Sequence, residues 1–205
     1  MNQLRPQTRI QRKNTAAILE AALAVFSRHG FRGATLDQIA QAANLSKPNL
    51  LYYFASKEAI HSELLSAQMD VWLEPLRRID AQGDAVAEIV AYVLRKLEMA
   101  RDLPRESRLF ANEIVQGAPR IMGLIQGELR TLVNQKATLI QGWIDVGRIA
   151  ALDPHHLIFS IWATTQHYAD FEAQVHGILG PDKDAHFAEA ARFLRQFYER
   201  ALTPG

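Results

Sequence analysis

The chain is predicted to be all-α and built in two parts. An N-terminal three-helix domain carries a helix-turn-helix, and a longer C-terminal helical domain has the features of a ligand-binding and dimerisation module. Three observations carry this. Apolar residues recur at three- and four-residue spacing along most of the 205 residues. Long alternating β-branched runs and Asn-Gly hairpin signals are both missing from the sequence. Charge is unevenly divided: residues 1–60 hold eight Lys/Arg against three Asp/Glu, and the remainder is net acidic although the whole chain is only +1. A basic third joined to an acidic remainder is the electrostatic footprint of a nucleic-acid module attached to something else.

The first eight residues are polar, and they are expected to be disordered. Arg5, Arg9, Arg12 and Lys13 form a basic stretch suited to a phosphate backbone; a solvated tail is the competing reading for Arg5. A first helix is expected over 9–29, with Ile18, Ala22, Val25 and Phe26 inward. Gly30 ends it and Phe31 folds back as the apolar contact. Thr35 then opens a second helix as N-cap, paired with Gln38 in a capping box. Asn44 suits the left-handed residue that stops this helix, and Leu45 plugs the corner. Ser46 caps a short third helix with Pro48 in its first turn, and Leu50, Leu51 and Phe54 pack inward.

That third helix turns Lys47, Asn49, Tyr52 and Tyr53 outward rather than a mixed-charge face. Such side chains suit base edges, thymine methyls and phosphates in a major groove. The candidate duplex contacts are Thr35, Ser46, Lys47, Pro48, Asn49, Tyr52 and Tyr53, with Arg9, Lys13 and Lys57 on phosphates. Lys57 would be helped there by the start of its own helix. A helix corner inside an ordinary bundle, with tyrosines at its surface, fits the same pattern.

The domain boundary is placed at 56/57, where Ser56 caps a long helix bearing Leu65, Met69, Trp72, Leu76 and Ile79. Pro75 should kink or break it near Glu74. This helix leaves the basic domain and enters the rest of the chain, which makes it a natural lever. Further helices are expected near 84–101, 104–116, 119–147, 153–178 and 183–202, edged by Pro104, Pro119, Gly147, Pro154 and Pro181.

Two of these suit pairing with a second copy. The segment 156–174 starts apolar nearly all round, and the last helix repeats Phe187, Ala190, Leu194, Phe197 and Ala201. Ile158, Phe171, Phe187, Leu194 and Phe197 are the candidate dimer contacts; the alternative is that both helices only close the monomer core. Within the first, Trp162 and Gln166 lie one turn apart among Thr164, Thr165, His167 and Tyr168, so an aromatic plane and an amide can line one cavity. Asn112 and Gln116 are further amide candidates. A small, flat ligand that stacks and hydrogen-bonds at its edges fits such a cavity. The competing reading makes Trp162 core and leaves Gln166 to a neighbouring carbonyl.

The absence of cysteine removes disulfides, thiolate metal sites and thiol chemistry. Asp153, His155, His156 and His167 make neither a metal-binding spacing nor a nucleophile–base cluster, so an enzyme is not expected and no metal or cofactor is implied. Asp153 with Pro154 reads as a helix start. No signal peptide or membrane span is expected, and the chain is expected to be cytoplasmic. A helical protein-binding adaptor is the alternative of another class; the basic N-terminal third argues against it.

The series AALAVFSRHGF, ATLDQIAQAANLSKPNLLYYF and SKEAI resembles the DNA-binding domain of the TetR family of transcriptional regulators. Asn44 stands where that family usually has Gly, and Pro48 where many members carry a DNA-contacting residue. The resemblance implies a homodimer on a palindromic double-stranded DNA operator, released or retained by a small-molecule effector. Over SRLF at 107–110, GAP at 117–119 and DPHHLIFSIWATTQHYADFEAQV at 153–175, the chain resembles the branch of the family that governs pyrimidine utilisation. That branch implies uracil or thymine as effector, with Trp72, Trp162 and Gln166 lining its site. Ala111 stands where the branch has a sulfur-containing side chain; with Asn112 and Thr165 it completes the candidate effector set. Ligand beside Trp72 and Trp162 is expected to shift the lever helix and misalign the paired recognition helices.

Overall fold

The computed structural model describes residues 9–205; the tail with Arg5 lies outside the described residues. Helix α1 spans Arg9–Gly33 and is interrupted at Gly30, whose positive φ of 65° lets the chain turn at low steric cost. Phe31 folds back to stack on Phe26, ring centroids 5.9 Å apart. Helix α2 (Leu36–Ala42) opens on the expected capping box: Gln38 N donates to Thr35 Oγ1 at 3.2 Å, and Thr35 N to Gln38 Oε1 at 2.8 Å. Asn44 is left-handed, with φ of 55°, and Leu45 N closes the turn on Ala40 O at 2.9 Å. Helix α3 (Lys47–Tyr53) starts from Ser46 and is anchored by the wholly buried Leu50. Burying one such aliphatic side chain contributes about 1.5–3 kcal/mol.

Helix α4 (Lys57–Arg77) begins on the Ser56 hydroxyl. The expected break at Glu74 does not occur; the helix runs through Pro75 to Arg77. Only two helical residues follow the proline, so few backbone bonds are at stake. The buried Leu76 and the Arg78 N to Glu74 O bond of 3.1 Å hold the end in place.

In the body, α5 (Ala85–Asp102) is central. It packs against α4, α6 (Pro104–Val115), α9 (Pro154–Asp170) and α11 (Lys183–Leu202). Its stripe of Ile89, Val93 and Leu97 shares the core with Ile161, Leu194 and Tyr198. One of two long helices expected here is divided. The 119–147 stretch opens with a turn and is then continuously helical, from α7 (Met122–Leu124) through a π-helical turn (Ile125–Leu129) into α8 (Arg130–Asp145). The 153–178 stretch breaks at Phe171 into α9 and α10 (Glu172–Leu179). Among the described residues no helix is long and apolar enough to cross a membrane.

Candidate nucleic-acid interface and effector cavity

The exposed face of α3 presents Lys47, Pro48, Asn49 and Tyr52, with Thr35 and Ser46 at the adjoining helix starts and Arg9 and Lys13 exposed on α1. Tyr52 is 70% exposed, a high value for a large aromatic ring in a small domain. Lys47 Nζ meets Asp37 at 2.9 Å, but both side chains are exposed, so the pair is weak and the ammonium can be redirected to a phosphate. Thr35 and Ser46 spend their hydroxyls on caps.

Two expected contacts have other work. The Tyr53 hydroxyl accepts from Asn14 Nδ2 at 2.7 Å, joining α3 to α1 with the ring half buried. Lys57, expected on a phosphate, is turned inward instead. Its Nζ donates to the carbonyls of Phe31 and Ala34, both at 2.7 Å, and lies 4.4 Å from the Phe31 ring centroid. The loose carbonyls at the end of α1 offer partners at hydrogen-bonding distance, and the side chain takes them.

Behind this head a second set of contacts joins α1, α4 and α6. His61 of α4 is edge-on to Phe26 and Phe31, at 4.8 and 4.9 Å, and 4.0 Å from Glu113 of α6. Glu113 accepts from both the backbone and the guanidinium of Arg120, each at 2.8 Å, and that guanidinium covers Phe31. Burial pushes His61 down to about 4, against a smaller opposite pull from Glu113.

A cavity of about 660 Å³ opens between α6, the α7–α8 segment and α9. Trp162, Gln166 and Ala111 line it, as expected. The Trp162 indole is fixed by a 2.7 Å bond from Nε1 to the buried Tyr92 hydroxyl and tilts against Phe159. The Gln166 amide makes no hydrogen bond to another described residue, so its donor and acceptor are available. Asp170 also reaches the wall, accepting from Ser107 Oγ at 2.5 Å; burial raises its carboxyl above the usual range. Much of the remaining lining is apolar, including Phe110, Ile114, Met122 and Phe159, with Gln126, Arg130, Asn134 and His155 as further polar groups.

Three expected effector residues are not on this wall. Asn112 points to solvent on the other side of α6. Thr165 is wholly buried and its hydroxyl is used on the Ile161 carbonyl at 2.6 Å. Trp72 lies one layer deeper, its ring 3.9 Å from Lys96 Nζ. The sequence reading missed Lys96 and Gln68, both buried, and Asp170. Lys96 follows Val93 by three within an apolar stripe, which was a legible sign of an interior lysine.

The dimer contacts divide likewise. Ile158, Phe187 and Leu194 are buried within the monomer, because their helix faces close on α5. Phe171 and Phe197 are exposed, as is Phe193, which the heptad spacing did not mark and whose ring stacks on Phe197. Exposed phenylalanines in this number are the material of an interface.

A basic head with a protruding recognition helix, joined by one long helix to a body holding a ligand-sized cavity, is the architecture of an effector-controlled DNA-binding regulator. Residues 18–64 match the model described as bacterial regulatory proteins, tetR family, and residues 65–205 the model described as YcdC-like protein, C-terminal region. The chain belongs to the TetR family of ligand-responsive transcriptional regulators, which bind DNA operators as dimers and are not enzymes. It is 49% identical over 164 residues to the HTH-type transcriptional regulator RutR of Escherichia coli K12, covering 80% of this chain and 77% of that protein. It is 38% identical over 53 residues, 26% of this chain and 28% of that protein, to the biofilm operon negative regulator IcaR of Staphylococcus aureus. AibR, solved with isovaleryl coenzyme A and operator DNA, shares the fold at a TM-score of 0.71 and 17% identity, with 94% of this chain and all of that chain covered. A TetR-like regulator from Rhodococcus shares it at 0.68 and 21%, with 96% and 97% covered.

Proposed function

We propose that the chain is a dimeric repressor of pyrimidine catabolism or a related pathway, and that a small planar heterocycle such as uracil or thymine releases it from a palindromic operator. Residues 1–56 read the duplex; residues 57–205 bind the effector and the second copy. The observation that carries the effector reading is the pairing of a fixed indole with an unpartnered amide, Trp162 with Gln166, on one cavity wall. A flat diketo ring stacks on the first and hydrogen-bonds the second. The 49% identity to RutR supports the same reading, since uracil or thymine is the effector that resemblance to this branch implies. Exposed Phe171, Phe193 and Phe197 support pairing through α9–α11.

Operator gel shifts with titrated uracil, thymine and cytosine test this, with calorimetry alongside. Uracil or thymine is expected to give heat and to release the operator. Gln166→Ala should weaken effector binding by about tenfold, the worth of one hydrogen bond. Flat traces with all three bases overturn the pyrimidine reading.

A further inference from the structure

The cavity is longer than one ring needs, and opposite charges stand at its two ends. His155, Phe159, Trp162, Gln166 and Asp170 recur at three and four along α9, so they share one face, about 22 Å long at 1.5 Å per residue. Ser107 of α6 bonds Asp170, and Asn134 Oδ1 of α8 lies 3.0 Å from His155 Nε2. Helix α6 therefore lies against the later part of α9, and α8 against its start. A volume of about 660 Å³ is the size that holds a drug-sized ligand. A single six-membered ring on Trp162 and Gln166 leaves most of it unfilled.

The middle of the cavity is apolar and open. Val115 is 87% exposed, Phe159 48%, Ile114 41% and Met122 40%, and all four line it. Large apolar side chains gathered at a mouth and left to water mark a surface that a ligand covers. At the His155 end the chemistry changes. Arg130 and Asn134 lie one turn apart on α8. The Arg130 guanidinium makes no hydrogen bond or ion pair with a described residue. Glu128 nearby in sequence is held by Arg77. Asp170, the carboxylate on the lining, stands at the opposite end.

We propose that this stretch is a second ligand site, separate from the Trp162–Gln166 pair, for an amphipathic anion. An alkyl chain of medium length lies against Phe159, Ile114 and Met122, and its carboxylate or phosphate head pairs with Arg130. A guanidinium takes either head through paired N–H groups. Burial of the chain supplies the rest of the affinity. Asp170 repels the head from the far end and so fixes the direction in which the chain enters.

The test is calorimetry on the intact protein with octanoate, octyl phosphate, octanol and uracil. Arg130→Met and Met122→Glu are compared with wild type and with Arg95→Met, which removes an exposed charge paired to Glu98 elsewhere on the body. Arg130 and Met122 are both exposed, so the variants should melt near wild type. Arg130→Met should bind octanoate about tenfold more weakly, the worth of a charge-assisted hydrogen bond. Met122→Glu should abolish that binding, Arg95→Met should leave it unchanged, and octanol should bind wild type at least tenfold more weakly than octanoate. The tighter of octanoate and octyl phosphate identifies the head. No heat from either anion overturns the second site, and uracil then decides the pyrimidine reading alone. Equal binding of octanoate by wild type and Arg130→Met, or octanol bound as tightly as octanoate, overturns it too. Uracil affinity that falls in Arg130→Met as far as octanoate affinity does would make the two sites one, which also overturns it. Arg130-dependent binding of octanoate with silence from uracil sustains the second site and overturns uracil as effector.

Discussion

The DNA-binding head and the rim of the cavity differ in how their helices begin. In the head, α2, α3 and α4 each start on a side-chain oxygen, from Thr35, Ser46 and Ser56, that accepts from a backbone N–H in the first turn. Along the rim, α6 and the helical run that starts at Met122 follow Leu103 and Ile121, and neither start has a side-chain cap. Each missing cap forgoes roughly 1 kcal/mol. The head is thus specified locally and presents a fixed surface to a duplex. The rim lacks such caps, and a π-helical turn within it marks backbone that departs from its best hydrogen bonding. Segments that move in response to a ligand are drawn from the less stable part of a fold.

The contrast can be broken at its strongest point. Leu50→Ala removes the wholly buried anchor of α3 and should cost about 2–5 kcal/mol. Operator binding should be lost in gel shifts at any salt concentration, with the first melting transition lowered. Retained operator affinity would mean that the caps alone hold the recognition helix.

The seam between the regions should respond to acid. The folded His61 binds its proton only near pH 4, whereas the unfolded ring does so near 6.5. Between those values the unfolded chain takes up a proton that the folded chain refuses. Stability is therefore complete above about pH 6.5 and drains away as pH falls towards 4, by roughly 3 kcal/mol. Melting temperature followed from pH 7.5 to 4.5 should fall, and His61→Phe should flatten that slope.

The smallest effect sharpens the account of the head. Lys47→Ala loses only an exposed pair, so stability should shift by less than about 0.5 kcal/mol. Its operator affinity should weaken, and the dependence of affinity on salt should lose about one unit of slope. An unchanged salt slope would take Lys47 off the phosphates.

How much was legible follows the same division. Thr35, Ser46, Ser56 and Asp153 are recognisable as caps because the signal lies within four residues, and the structure uses each of them so. Asn44 and Gly30 were legible because few residues tolerate their φ. The break at Phe171 carries no glycine, proline or cap, and the π-helical turn at Ile125–Leu129 interrupts no apolar period; tertiary packing decides both. Periodicity marked Trp72 as interior, but it cannot say which neighbour an interior side chain meets, so its position behind the cavity was out of reach. It also could not separate Leu194, which closes the core, from Phe197, which is turned outward three residues later.

Lys57, lost to the DNA, has a mechanical consequence. By clasping two carbonyls at the end of α1 it welds the root of the long helix to the head, with an aromatic ring beneath the joint. Those contacts tie the first turn of the long helix to the head. The hinge has to lie elsewhere, and the bracket of Glu113 and Arg120 beside Phe31 and His61 is where the sensing half grips the head. Any displacement of α6 therefore meets the reading head first at this bracket.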